Sequence, residues 1–238
     1  MKVVFITGGS RGIGACAVRR FASLGYMVAF TYLKSEKEAL ALASEVGALA
    51  IKADVSSSDE VTNAINLATL QYGKIDILIN DAGISEFSLF TDITDEMWKR
   101  MIDTNLSGVF YASRAVLPQM ISQKSGCIIN ISSMWGEVGS SCEVHYSASK
   151  AGVIGLTKAL AKEVGPSGIR VNCITPGLIK TDMNAMLDDA TLNEIKEETP
   201  LGRLGEADDI CNALVFLADD ASSFITGQIL GVNGGFVI

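Results

Sequence analysis

The chain holds a single histidine, His145, and only four prolines in 238 residues. One histidine argues against a histidine-rich metal site and removes the commonest general base near neutral pH, so no metal is expected. So few prolines, with no Ser/Gly-rich tract or charge block, give no sign of a linker, and one domain over residues 1–238 is expected. No apolar run approaches the ~18 residues that a membrane span needs. The opening "MKVVFITGG" is too short an apolar stretch for a secretory signal. The five cysteines, 16, 127, 142, 173 and 211, are odd in number and contain no Cys-x-x-Cys pair. That excludes a disulfide framework and a zinc ribbon, and suits a reduced, cytoplasmic setting. Basic residues are outnumbered 19 to 27, for a net charge of −8. The imbalance argues against a nucleic-acid groove or an anionic membrane as the main partner.

What is present is alternation. Short, nearly continuous apolar runs stand at 3–7, 27–32, 48–53, 75–80, 126–132, 169–175 and 227–232. Helical patterns fill 12–24, 35–46, 58–72, 95–121, 146–164 and 206–218. Unbroken apolar strands suit burial on both faces, and strand–helix alternation implies a parallel sheet. The expected fold is α/β: a doubly wound parallel sheet of about seven strands with helices on both faces. The least regular stretch, 176–205, is expected to form a substrate-binding loop or lid.

Two stretches carry chemistry. In "VVFITGGSRGIGACAV", Gly8, Gly12 and Gly14 join the first strand to the first helix. Glycines there allow a tight turn and close backbone approach to a pyrophosphate, which the helix N-terminus then faces. The spacing is G-x-x-x-G-x-G, and no lysine follows to favour a triphosphate. An acidic residue at the end of the second strand would select a free ribose 2′-hydroxyl. Here Thr31, Tyr32 and Leu33 occupy that place, followed by Lys34, and Arg11 offers a second cation. Arg and Lys suit a phosphate, so NADPH is expected over NADH. In "VHYSASKAGVIGL", Tyr146 and Lys150 lie one helical turn apart on one face. A lysine beside a phenol favours the phenolate, so the proton is expected to leave nearer neutral pH than usual.

Taken in order, "TGGSRGIG" at 7–14, "NDAG" at 80–83, Asn105 in "DTNLSGVF", Ser133 in "NISSMWG", "YSASK" at 146–150 and "PGLIKTDM" at 176–183 resemble the short-chain dehydrogenase/reductase family. The likeness runs nearly end to end and is nearest to bacterial 3-oxoacyl-acyl-carrier-protein reductases. It implies a Rossmann-type sheet and an NADPH-dependent reduction of a 3-oxoacyl thioester in fatty acid biosynthesis. It also implies roles: Tyr146 as general acid, Lys150 on the nicotinamide ribose and lowering the phenol's pKa, Ser133 polarising the carbonyl, Asn105 anchoring a water chain. Ser10 and Ile13 join the glycines at the nucleotide, Asp54 and Val55 lie near the adenine, and Asn80, Ala82 and Gly83 line the nicotinamide side. Pro176, Gly177, Ile179 and Thr181 follow at the nicotinamide amide or pyrophosphate. The family usually shows N-N-A-G; the second asparagine mainly steadies the sheet, so Asp81 in its place should bring a local rearrangement.

The resemblance implies a homotetramer built on the helices near 95–121 and 146–164 and the C-terminal edge, with the apolar tail "GGFVI" as a further contact. It implies docking of an acidic carrier protein on bases beside the active-site mouth, to which Lys124 could contribute, though Ser167 stands where many such reductases carry a base. "SSMWGEVGSSCEVHYS" places Trp135 and Glu143, with Glu137 and Cys142, around the substrate pocket, and resembles a subgroup that reduces an aminopentanone group on elongation factor P. A cationic substrate of that kind would suit Glu137 or Glu143. A catalytically silent nucleotide-binding scaffold is the remaining reading; the intact Asn-Ser-Tyr-Lys set speaks against it.

Overall fold

The computed structural model describes residues 1–184 and 188–238. Strands β1 (Val3–Thr7), β2 (Met27–Tyr32), β3 (Leu49–Lys52), β4 (Ile77–Asn80), β5 (Gly126–Ile131), β6 (Ile169–Pro176) and β7 (Ile229–Val232) form one parallel sheet in the order 3-2-1-4-5-6-7. All seven lie within or beside the apolar runs. The reason they are apolar throughout is visible in β1, β4 and β5, whose residues are buried on both faces.

Helices α1 (Gly12–Ser23), α2 (Glu36–Val46), α3 (Ser58–Tyr72), α4 (Asp95–Ile102), α5 (Gly108–Gln123), α6 (Trp135–Val138), α7 (Val144–Val164), α8 (Asp189–Glu198) and α9 (Ala207–Ala218) complete the chain. Ile6, Phe30 and Ile129 point to one face, where Phe21 of α1, Leu42 of α2 and Leu214 of α9 cover them. Phe5, Leu78 and Ile128 point to the other, against Ile65 of α3, Val116 of α5 and Ala161 of α7. Alternate residues of each strand thus fill two separate cores.

The helix expected over 95–121 is interrupted. Asp103–Ser107, between α4 and α5, form a π-helical turn that carries Asn105 inward to full burial. Such turns insert one residue into the ladder and re-aim side chains, which a 3.6-residue period cannot register.

The strand order reverses between β1 and β4, so the loops at their carboxyl ends diverge and leave a crevice. The 176–205 segment returns towards it. Ile179 pairs with Gly205, Lys180 donates its N–H to the Gly205 carbonyl at 2.9 Å, and α8 occupies the middle. Residues 185–187 of that segment lie outside the described residues. Lys124 and Ser167 immediately precede β5 and β6, at the amino edge of the sheet. Neither therefore stands beside the crevice of its own chain, contrary to the expectation for Lys124.

Candidate active site

The glycine turn is strapped to the end of β2: Gly8 N–H donates to Thr31 Oγ1 at 3.2 Å and Gly9 N–H to the Thr31 carbonyl at 2.9 Å. Thr31 holds the turn, which is why a short hydroxyl rather than an acid sits there. Gly8 has φ +75° and an added Cβ would stand 2.8 Å from Ala82 Cα, so the turn and the loop after β4 meet backbone to backbone. At Gly12, φ +54°, a Cβ would lie 3.5 Å from Thr181 Cγ2, so the returning segment passes just over the turn.

Three other helices cap their first N–H groups with an N-cap side chain, Ser57 for α3, Thr94 for α4 and Asp188 for α8, whereas α2, α5, α6 and α7 do not. Arg11, at the cap of α1, makes no such bond, and the first turn of α1 contains no acid. N–H groups without a side-chain cap at the positive end of a helix dipole fit a pyrophosphate, the Gly14 N–H being turned to Asp81. Ser10, Gly12 and Ile13 border this end while Arg11 and Lys34 are exposed. Tyr32 is buried, and its hydroxyl donates to Glu36 Oε1 at 3.3 Å.

Asp54 closes its own turn: its Oδ1 accepts from Ser56 N–H at 2.9 Å and Ser56 Oγ–H at 2.7 Å. One carboxylate oxygen is thus spent locally, and Val55 packs its carbonyl and side chain against Gly108. Asn80 is a structural brace. Its Nδ2 donates to Asn130 Oδ1 at 2.8 Å and Ser113 Oγ at 3.3 Å, and Asn130 Nδ2 donates to Thr157 Oγ1 at 2.9 Å. This buried ladder joins β4, β5, α5 and α7. So the asparagine that steadies the sheet is the first of the N-D-A-G motif, not the second.

Asp81 has a different place. Its N–H and that of Ala82 donate to Thr7 Oγ1 at 3.1 and 3.2 Å, and its carboxylate lies against Gly14. Burial pushes its pKa up from 3.8 to about 7, opposed by Lys150 and by a bond from the Gly14 backbone. A raised carboxylate pKa means that the folded chain binds the proton more tightly than the unfolded chain. The resulting cost to stability is absent below the unfolded value near 4, grows as pH rises, and is complete above about 7. Asp81→Asn should therefore raise stability at pH 8 by on the order of 1–4 kcal/mol and leave it nearly unchanged at pH 4. The residue is only part-buried, with one edge on the crevice, so the lower end of that range is expected. Denaturant melts at both pH values check this; an equal or lower midpoint for the variant at pH 8 contradicts it.

Beyond β5, Ser132 N–H donates to the Ile174 carbonyl at 2.8 Å and Met134 N–H to the Pro176 carbonyl at 3.0 Å, which fixes Ser133 at the carboxyl edge. An added Cβ at Gly136 would meet the Lys150 carbonyl carbon and Ser132 Oγ, both at 2.8 Å, so α6 rests directly on α7. That contact sets Ser133 close to Tyr146, where its side chain favours the ionised phenol and lowers the pKa somewhat. Trp135 N–H donates to Ser133 Oγ at 3.1 Å, leaving the serine proton free to point elsewhere. Ser133, Tyr146 and Lys150 are all more than nine-tenths buried.

The phenol is not acidified. Burial pushes Tyr146 up to about 12, the Ser133 bond lowers it somewhat, and Glu143 and Asp81 raise it further. Lys150 Nζ donates instead to the Ile131 carbonyl at 2.9 Å and lies 5.7 Å from the phenol ring centre. Burial also lowers the lysine's own pKa, with Asp81 opposing. The expected lysine-driven lowering is thus not seen: desolvation dominates, and Lys150 is not among the groups acting on the phenol.

Asn105 Oδ1 accepts from Ile84 N–H at 2.8 Å, and its Nδ2 donates to the Ile84 carbonyl at 2.9 Å and Ser149 Oγ at 3.1 Å. It clamps the loop after β4 to α7. A Cβ on Gly83 would lie 3.3 Å from Asn105 Oδ1 and 3.5 Å from Lys150 Nζ, so Gly83 borders both. Pro176, Gly177 and Ile179 form the opposite wall, with Gly177 N–H on the Val232 carbonyl at 3.1 Å and Ile179 buried. Trp135 packs edge-on against Phe236 at 5.7 Å. Glu137 is exposed, whereas Glu143 is buried and accepts from Ser85 Oγ–H at 2.7 Å.

Residues singled out separately are therefore gathered at one crevice. The supporting residues Thr7, Ser113, Asn130, Ser132, Ser149 and Thr157 were not foreseen; polar residues inside otherwise apolar strands and helix faces were the available signal.

Residues 8–237 match the family model described as enoyl-(acyl carrier protein) reductase. The chain is 43% identical over 98% of its length to a 3-oxoacyl-acyl-carrier-protein reductase of Staphylococcus epidermidis, of which 98% is covered. The enzyme of the same name from Staphylococcus aureus gives 43% over 98% of this chain and 97% of the other, and that from Chlamydia muridarum 44% over 98% and 96%. With this sheet order, this glycine turn and these matches along the whole chain, the protein belongs to the short-chain dehydrogenase/reductase family, oxidoreductases that use a nicotinamide nucleotide on CH–OH and C=O groups.

Proposed function

We propose that the protein reduces the 3-oxo group of an acyl thioester carried on an acyl-carrier protein to the 3-hydroxy group, with NADPH as the preferred nucleotide. The observation that carries this reading is the Ser133–Tyr146 hydroxyl pair at the carboxyl edge of β5, with Lys150 behind it. Two buried hydroxyls set close together at that edge can both bond one carbonyl oxygen, which suits a ketone. The relatives' names supply the substrate.

The nicotinamide nucleotide, when bound, supplies the hydride. The α1 N-terminus and Ser10, Arg11, Gly12 and Ile13 would hold its phosphates. Tyr146 gives its proton to the carbonyl oxygen as negative charge develops there; a pKa near 12 keeps that proton in place at neutral pH. Ser133 donates to the same oxygen and stabilises the charge. Lys150, anchored on Ile131, would hold the nicotinamide ribose, and Asn105 holds the loop and helix between which the proton would be replaced. Pro176, Gly177 and Ile179 would wall the substrate side, and Trp135 would line it. Asp54 keeps one oxygen for the adenine.

The preference for NADPH rests on Arg11 and Lys34, which are exposed and have no carboxylate partner among the described residues. Glu36, the acid nearest by sequence, is engaged by Tyr32. A homotetramer in the cytoplasm completes the reading. Phe110 and Ile121 on α5 and Phe224 and Ile238 near the β7 edge are exposed apolar residues that subunit contacts would cover. No helix among the described residues is long and apolar enough to cross a membrane.

The test is oxidation of NADPH and NADH in the presence of acetoacetyl thioesters, with an aminoketone as comparison. Turnover of the thioester is expected with NADPH, and Lys34→Glu should weaken NADPH at least about tenfold, the loss of one charge-assisted bond. Turnover of the aminoketone alone would overturn the substrate assignment. Glu143 is poorly suited to attract an ammonium group, since burial raises its pKa and disfavours the charged form, and Ser85 and Ser140 already bond it.

A further inference from the structure

Two free thiols face each other across the seam between α1 and α9. Cys16 Sγ stands 2.8 Å from Cys211 Sγ, although 195 positions separate the residues in sequence. Ordinary non-bonded sulfurs sit farther apart than this, and a disulfide bond is about 2.05 Å, so closure needs less than about 1 Å of movement. The pair is asymmetric. Cys211 is fully buried, whereas Cys16 is part-exposed and opens on a groove shared with Arg11, Arg20 and Asp208. The bond from Cys211 lowers the Cys16 pKa against burial and the nearby Asp208 carboxylate, with Arg20 adding to the lowering, while that same bond and burial raise Cys211. The outer thiol is therefore the nucleophile and the inner one resolves. Cys127 and Cys173 are buried with no thiol beside them, and Cys142 is part-exposed without a cysteine neighbour among the described residues.

We propose that Cys16 and Cys211 are an oxidative modification site that closes to a reversible disulfide on contact with a hydroperoxide, tying α1 to α9 two residues beyond Gly14. The Cys16 thiolate attacks one peroxide oxygen. An S–O bond forms, the O–O bond breaks, and the departing oxygen takes up a proton and leaves as water or alcohol. Cys16 is then a sulfenic acid. The Cys211 sulfur attacks it; the S–S bond forms, the S–O bond breaks, and the leaving hydroxide takes the proton that Cys211 gives up. Two thiols lose two electrons and two hydrogens, and the peroxide is reduced by the same two electrons. A dithiol reductant returns them by exchange. The bond closes a loop of nearly the whole chain, which removes much freedom from the unfolded state.

The full chain treated with hydrogen peroxide and digested without reductant should yield a Cys16–Cys211 linked peptide pair, lost on adding dithiothreitol. Oxidation should raise the melting temperature by roughly 5–15 °C. Cys211→Ser should leave a sulfenic acid on Cys16 that dimedone captures, Cys16→Ser should abolish the link, and Cys142→Ser should retain it. If peroxide instead marks Cys142 while Cys16 and Cys211 stay reduced, or if Cys211→Ser leaves Cys16 unreactive to dimedone, the proposal is overturned. Peptide mapping reads the link without relying on activity, so an error in the substrate assignment leaves it intact.

Discussion

Tyr146→Phe should lower kcat for ketone reduction on the order of a thousandfold and leave nucleotide affinity within about twofold of the parent. The expectation follows from where the proton sits. The phenol is buried with Ser133 as partner and held up to about 12, so across the neutral range it is a filled proton source beside the reacting oxygen. General acid catalysis by one positioned group contributes about 10²–10⁴-fold. Phenylalanine keeps the ring and its packing and removes only the hydroxyl, at a cost to stability of no more than about 1 kcal/mol. A drop in kcat without a matching change in nucleotide Kd would mark an interaction made in the transition state. Pre-steady-state turnover beside nucleotide titration separates the two, and a variant retaining more than a tenth of the parent kcat would remove Tyr146 from its proposed role. Ser133→Ala should fall in the same direction by less, because the phenol still reaches the oxygen.

The sequence revealed the sheet because its strands are buried on both faces and so read as plain apolar runs; β1, β4 and β5 differ from the expected limits by two residues at most. The glycine turn and the Tyr146–Lys150 spacing were legible for the same kind of reason: each is local, set by one loop or one helical turn. What stayed hidden depends on contacts between distant segments. Spacing placed Lys150 beside Tyr146 but carried no information on the Ile131 carbonyl that claims the ammonium, or on the burial that raises the phenol. The N-D-A-G motif showed an acid where an amide is usual, yet only packing assigns the bracing role to Asn80 and turns Asp81 towards Gly14. Asn105 was found by its motif, while the π-helical turn that buries it is invisible to a helical period. Cys16 and Cys211 looked like unrelated members of an odd set, because nothing local joins α1 to α9.

Gly14→Ala should be the most damaging single methyl in the nucleotide site. An added Cβ would stand 2.4 Å from the Gly8 carbonyl oxygen, 2.7 Å from Asp81 Oδ2 and 3.0 Å from the Gly8 carbonyl carbon. Two of those neighbours are backbone atoms of the turn itself, strapped to β2 by Thr31, so they cannot yield by a rotamer change. Relief requires α1 to lift away from the turn, and the α1 N–H groups then lose their aim at the pyrophosphate. Overpacking of this kind costs about 1–3 kcal/mol, at times more, and the upper end is expected here. Nucleotide affinity should fall at least about tenfold, equivalent to 1.4 kcal/mol of lost phosphate contacts. Gly12→Ala is the informative comparison. Its Cβ has room, 3.5 Å from Thr181 Cγ2, but φ is +54°, so its cost is the ~1 kcal/mol of a side chain held in the left-handed region. Steric exclusion at Gly14 and backbone conformation at Gly12 thus predict an ordering, with Gly14→Ala the weaker in both melting temperature and NADPH affinity. Thermal melts with a nucleotide titration of both variants measure it, and the reverse order would mean that the turn relaxes where the packing says it cannot.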